Sequence, residues 1–68
     1  MKLELSYTIT YQIKDTTKEE HHGSVLIMDF DNHELGSLYL RKRVQEIVND
    51  IKSNGHYFVK SEEETKGA

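Results

Sequence analysis

A strict alternation of apolar and polar side chains over the first fourteen residues constrains the fold of this chain more than any other feature. A period of two is the pattern of a β-strand with one buried face, and the Ile, Tyr and Thr residues of this segment suit a pleated, half-buried surface. We therefore predict a long N-terminal strand with one apolar face. That face comprises Met1, Leu3, Leu5, Tyr7, Ile9, Tyr11 and Ile13.

After the polar turn segment Asp15–Lys18, a second strand is predicted over the apolar cluster Val25–Met28 and the Asp29-Phe30 that follows it. With Thr16 and Thr17 at the tip, the two strands form an antiparallel hairpin. A slip of one residue would bring Asp29 to the core face, so the hydrophobic pattern favours this register. The pairs that it sets are Leu3 with Phe30, Leu5 with Met28, Tyr7 with Leu26, Ile9 with Ser24 and Lys14 with Glu19.

A helical period replaces the strand period after the loop Asp31–Gly36. Ser37 is a suitable N-cap and Gly55 a suitable C′ residue, so a helix is predicted between them. An alternative interpretation makes Leu35–Arg41 a third strand and shortens the helix. The apolar stripe of the predicted helix is Leu40, Val44, Ile47, Val48 and Ile51. We expect it to pack on Leu3, Leu5, Tyr7, Leu26, Met28 and Phe30.

The last elements are a short third strand at residues 56–60 and an acidic tail at residues 61–68, which carries three consecutive glutamates and is expected to be disordered. Residues 1–60 then form a single domain. A right-handed crossover makes the third strand parallel to the second, which allows the strand order 2-1-3. The predicted fold is α+β: a β-β-α-β domain with a long N-terminal antiparallel hairpin, one helix packed on one face and a short third strand.

Composition excludes several classes of protein. The 68 residues include no cysteine, so neither a disulfide framework nor a thiolate metal site is available. The formal charge of −3 argues against a protein dedicated to coating nucleic acid. No run approaches the roughly 20 apolar residues that span a bilayer, and the N-terminus does not have the hydrophobic run of a signal peptide. We therefore expect a cytoplasmic protein that does not enter the membrane.

The stretch Val25–Asp31 resembles the nucleophile motif of haloacid dehalogenase-type phosphatases, a hydrophobic strand followed by Asp-x-Asp. The resemblance implies Asp29 as nucleophile and Asp31 as acid/base, with Mg²⁺ between them. It covers seven residues and departs from the family at His33, where Thr or Val is usual. We interpret Asp29 and Asp31 instead as the polar end of an antiparallel strand.

The histidines do not predict a metal site. His21 and His22 are adjacent on a strand and point to opposite faces, so they cannot share one ion. His33 and Glu34 follow Asp29 and Asp31, but the four donors lack the spacing of a zinc motif or a calcium loop. No Ser or Thr has a histidine placed by a recognisable motif. We predict no cofactor, no metal and no enzymatic activity.

The only dense basic run is Arg41-Lys42-Arg43, which lies near the start of the predicted helix. Cations there oppose the helix dipole, a placement that could serve phosphate contacts. A nucleic-acid-contacting module that uses these three residues is therefore the alternative function. An ordinary solvated helix face is the interpretation that we prefer.

Two apolar surfaces are expected to remain uncovered. Thirteen alternating residues at about 3.3 Å span about 43 Å, whereas a compact domain of this length is roughly 28 Å across. The far end of the hairpin should therefore project as an arm. On the open face of the sheet, the second and third strands should form one contiguous patch. On the third strand, either Tyr57 and Val59 or else Phe58 should face this way. The predicted contact residues are Tyr11, Ile13, Thr16 and Thr17 on the arm, and Val25, Ile27, Tyr57 and Val59 on the open face.

These surfaces favour a non-enzymatic interaction protein that binds a protein partner and self-associates, forming a homodimer. Size and composition alone suggest an accessory or regulatory protein of the kind found on phages and other mobile elements, by analogy only.

Overall fold

The computed structural model describes all residues 1–68 and has an α+β fold of three strands and one helix. The elements, in chain order, are β1 (Lys2–Gln12), β2 (Glu19–Asp29), α1 (His33–Ser53) and β3 (Tyr57–Gly67). The sheet order is β2-β1-β3, and β1 is antiparallel to both of its neighbours. Strand β3 is therefore parallel to β2. The predicted fold class, strand order and relative strand direction are confirmed.

The hairpin register differs from the predicted one by two residues. Leu3 lies opposite Met28, not Phe30, and Ile9 lies opposite His22. A shift of two residues keeps every side chain on its predicted face, because side chains along a strand alternate between the two faces with a period of two residues. The hydrophobic pattern therefore could not distinguish the two registers.

The turn that joins β1 to β2 sets this register. Ile13 and Lys18 close it, with the Ile13 N–H donating to the Lys18 carbonyl over 2.9 Å. Asp15 takes a left-handed conformation at φ 62°, which Asp tolerates better than most residues. The Thr16 hydroxyl donates to the Ile13 carbonyl and accepts from the Lys18 N–H, so Thr16 stabilises the turn internally.

Helix α1 begins at His33, so the prediction of a start at Ser37 is wrong, as is the alternative of a strand over Leu35–Arg41. The N-cap is Asn32, whose side-chain oxygen accepts from the Leu35 N–H over 2.9 Å. The first turn was missed because its apolar residue, Leu35, is off the core stripe and remains exposed. At the other end, Gly55 has φ 86° immediately after the C-cap Asn54, as predicted for a C′ glycine.

Replacing the N-cap tests this helix start. We expect Asn32→Ala to lower the free energy of unfolding by about 1 kcal/mol, because the Leu35 N–H loses its acceptor. Ser37→Ala is the matched control and should change stability by less than about 0.5 kcal/mol, because Ser37 lies inside the helix. Urea denaturation followed by circular dichroism measures both. A larger effect at Ser37 than at Asn32 would contradict the observed helix start.

Strand β3 extends through Gly67, so the prediction of a short strand followed by a disordered tail is wrong. Residues 61–67 all pair with β1, for example Ser61 with Ile9 and Gly67 with Leu3. The charged composition that suggested disorder is compatible with an edge strand, where charged side chains stay in solvent. Lys66 lies 3.5 Å from the Glu4 carboxylate across the pair. Pairing with the central strand thus outweighs the local preference for disorder.

The core lies between the sheet and the helix. The predicted stripe is confirmed except at Ile47, which is only partly buried, and Ile9 joins the core as an additional residue. The helix backbone lies over β1 and β3 and not over β2. Consequently Leu26 and Met28, on the helix side of β2, are only half-buried. The eight core residues are Leu3, Leu5, Tyr7, Ile9, Leu40, Val44, Val48 and Ile51.

The molecule is elongated, with principal extents of 43 × 17 × 13 Å. Helix α1 has 21 residues, which at 1.5 Å per residue cover about 31 Å of the sheet. The hairpin therefore does not project from a small round body. Instead the helix and β3 lengthen with it.

Candidate functional site

The open face of the sheet carries two large apolar side chains on β2. Val25 is 62% exposed and Ile27 is 61% exposed. They are two residues apart on one strand, so their side chains stand next to each other on the face opposite the helix. Their neighbours on β1 are the polar residues Ser6 and Glu4. The pair thus forms a small apolar surface, here called the Val25–Ile27 surface.

Tyr57 and Val59 do not join this surface, so the prediction of one contiguous patch is wrong. Tyr57 lies opposite Gln12, at the end of β1 far from Ser6 and Glu4, and on the other edge strand. Val59 is the extra residue of a β-bulge, because Thr10 pairs with Lys60 and Tyr11 with Phe58. Both remain exposed, but they form a separate region at the opposite corner of the sheet.

The apolar residues of the predicted arm are packed within the molecule. Tyr11 is half-buried, with its ring 5.5 Å from the His56 ring. The Lys14 N–H donates to His56 Nδ1 over 2.8 Å, which fixes the end of the hairpin against the connection between α1 and β3. Ile13 is also half-buried, whereas Thr16 and Thr17 at the tip are exposed. The protruding apolar arm expected from the sequence is therefore absent, because the long helix and His56 cover it.

The basic run lies in the middle of α1 and not at its start, because the helix begins at His33. Arg43 and Lys42 line a cleft of about 410 Å³ together with Leu26, Tyr39 and Glu46. Arg41 lies in a different depression, beside His33, Glu34, Ser37 and Leu38. Arg43 also lies 3.5 Å from the Glu46 carboxylate. Arg41 thus lies in a different depression from Lys42 and Arg43.

The acidic and histidine side chains between the end of β2 and the start of α1 are dispersed. Asp29 lies at the end of β2, 4.0 Å from the terminal ammonium of Met1, and Asp31 lies in the following loop. His33 Nε2 is 3.0 Å from the Thr65 carbonyl oxygen of β3. No three His, Asp or Glu side chains come close enough together to hold a metal ion.

His21 and His22 point to opposite faces of β2, as predicted. His21 Nδ1 shares a hydrogen bond of 2.9 Å with the Thr10 hydroxyl on the open face. His22 Nε2 shares one of 3.2 Å with the Tyr7 hydroxyl on the helix side. Both imidazoles therefore serve to join β2 to β1.

The cleft between α1 and β2 was not predicted from the sequence. It exists because the helix lies over β1 and β3, leaving Leu26 beside the exposed Tyr39. The available signal was Tyr39 itself, an aromatic residue off the core stripe and one turn before Arg43.

Comparison with known proteins yields no significant match to any family model, curated protein or solved structure. Helix α1, the one helix of the structure, is not apolar enough to cross a bilayer.

Proposed function

We propose that this chain is a non-enzymatic interaction protein that acts by binding a protein partner and that also self-associates. The observation that carries the proposal is the Val25–Ile27 surface. Both side chains are more than 60% exposed and adjacent, on a sheet face that no helix covers. Large apolar side chains grouped on a surface commonly mark an interaction site, whereas single ones do not.

The energy available at this surface is useful for binding. Full burial of a Val or Ile side chain contributes about 1.5–3 kcal/mol, and most of each side chain still contacts solvent. The run from Val25 to Met28 carries no charge, so a partner can cover it without desolvating an ion. Apolar anchors with a polar surround are a common arrangement at protein interfaces.

Affinity capture with matched variants tests this function. We expect wild-type protein, immobilised and incubated with lysate of its source, to retain specific proteins that Ile27→Lys fails to retain. Leu38→Lys is the control, because Leu38 is 54% exposed but lies on the helix. Circular dichroism must first show that both variants are folded. Identical retained proteins for all three chains would contradict a role for the Val25–Ile27 surface.

The nucleic-acid alternative predicts a different result. Binding through Arg41, Lys42 and Arg43 should weaken steeply as salt rises, because phosphate contacts release counterions. An electrophoretic shift titrated against salt measures this. Our proposal predicts no salt-sensitive complex and no effect of Lys42→Ala on partner retention. A complex that disappears with salt and with Lys42→Ala would favour the alternative.

A further inference from the structure

We infer that two copies of this chain form a symmetric dimer in which the free edges of their β2 strands pair antiparallel, giving one six-stranded sheet. The inference rests on the proposed function, which it deepens by naming a second copy as partner and backbone pairing as the mode. A two-fold axis perpendicular to the sheet relates the copies. Both helices then lie on the same side of the combined sheet.

The backbone of β2 has free hydrogen-bonding groups at the same residues that expose apolar side chains. The Phe30 N–H donates to the Met1 carbonyl, and Lys18 accepts from Ile13 at the other end of the hairpin. Bonding pairs alternate along an antiparallel ladder, so even-numbered β2 residues bond to β1. The N–H and C=O groups of Val25 and Ile27 therefore point away from β1, toward the free edge.

The other edge of the sheet is protected against such pairing. Strand β3 contains the bulge at Val59, which interrupts a regular edge. The Thr65 carbonyl, which faces outward from β3, already has a partner, because its oxygen lies 3.0 Å from His33 Nε2. The segment from Lys60 to Lys66 carries five charged side chains, a common defence of edge strands. Between Gly23 and Met28, strand β2 has no bulge, no side-chain bond to an edge carbonyl and no charged side chain. The two edges are therefore chemically different.

The β2 sequence is self-complementary in one antiparallel register, centred on Leu26. Each Val25 then lies opposite Ile27 of the second copy, and the two apolar pairs form a four-residue cluster on the open face. Gly23 lies opposite Asp29 of the second copy, so no like charges meet.

Neighbouring registers are worse. Centring on Ser24 sets Glu19 opposite Asp29, and centring on Ile27 sets Val25 opposite Asp29. Centring on Val25 leaves Ile27 opposite Gly23 of the second copy. Of these registers, only the Leu26-centred one sets both Val25 and Ile27 opposite an apolar residue.

The helix side of β2 supports the same arrangement. Leu26 and Met28 are half-exposed there because α1 does not lie over β2. In the Leu26-centred register the two Leu26 residues form a non-hydrogen-bonded pair, whose side chains approach most closely in an antiparallel ladder. The cleft that Leu26 and Tyr39 line opens beside this contact in each copy. A second copy therefore covers apolar surface on both faces of the β2 edge. This burial contributes to the roughly 1,200–2,000 Å² of total surface that a stable interface buries.

Amide hydrogen exchange at single-residue resolution tests the dimer. In a monomer, the amides of Val25 and Ile27 have no acceptor within the chain and should exchange fast. We expect their exchange to slow by roughly tenfold or more as protein concentration rises and dimers form. The Leu26 and Met28 amides, which bond to β1, should be protected at every concentration. The Glu63 amide, at the β3 edge, should remain fast.

Sedimentation equilibrium on edge variants provides the second measurement. Val25→Pro removes an outward N–H and spares the bonds between β1 and β2, so it should yield a folded monomer. Ile27→Lys is a second variant with the same expectation, and Leu38→Lys should remain dimeric. A dimer with fast-exchanging Val25 and Ile27 amides would overturn the pairing mode. A monomer at all concentrations would overturn self-association, while the capture experiment with Ile27→Lys would still decide whether the chain binds a different protein through the Val25–Ile27 surface.

Discussion

Leu5→Ala is expected to lower the free energy of unfolding by about 2–5 kcal/mol. Leu5 is fully buried on β1, the central strand of the sheet, and faces the helix. Removing its side chain loses transfer free energy and leaves a cavity that a packed core fills only in part. At about 0.05–0.15 kcal/mol per residue, the whole chain has roughly 3–10 kcal/mol of stability. This one substitution should therefore remove much of it.

Urea denaturation in dilute solution, followed by circular dichroism, measures the effect. Leu38→Ala is the matched control, because the same atoms are removed from a largely exposed position, and it should change stability by less than about 0.5 kcal/mol. Ile47→Ala should fall between the two, because Ile47 is only partly buried. Equal effects at Leu5 and Leu38 would show that the core has been misplaced.

The second large effect is expected for Gly36→Val, which should cost about 1–3 kcal/mol through overpacking. Gly36 is a buried residue of α1 that lies directly on the sheet. A Cβ atom at this position would lie 2.5 Å from Leu3 Cδ1 and 3.3 Å from Phe30 Cδ2. Leu3 is itself fully buried, so its side chain has little room to move.

Gly36→Ala separates packing from helix propensity. Alanine in place of glycine favours a helix by about 1 kcal/mol, which offsets part of the collision, so its net effect should be smaller than that of valine. Gly67→Ala is the control and should be neutral, because an added Cβ meets nothing within 4 Å. Thermal unfolding of the three variants tests the order. A stabilised Gly36→Val protein would contradict the close approach of the helix to the sheet.

The sequence predicted those parts of the fold that depend on periodicity. Fourteen alternating residues identified β1 and its buried face, and the stripe from Leu40 to Ile51 identified the helix and its core contacts. Periodicity does not determine the hairpin register or the helix start, and both were predicted wrongly. The hairpin register depends on the conformation of Asp15 and Thr16 in the turn, and the helix start depends on one side-chain bond from Asn32.

The tertiary structure places the predicted interaction residues in separate regions of the molecule, and no local sequence pattern shows this separation. Val25 and Ile27 could be assigned to the open face because side chains alternate along a strand. Their distance from Tyr57 depends on the β3 register and on its bulge, which no local pattern encodes. Tyr11 lost its expected exposure because His56, remote in sequence, packs against it.

The position of β1 between a local and a distant partner affects how the chain folds. Its pairing with β2 is a hairpin, whereas its pairing with β3 joins Leu3 to Gly67 across almost the whole sequence. Closing so long a loop carries an entropic penalty that must be met before any contact forms, so this ladder is expected to form late. During synthesis, the edge of β1 that pairs with β3 then remains unpaired until residues 57–67 have left the ribosome. In that interval the newest chains are most prone to pair with one another through the wrong strand.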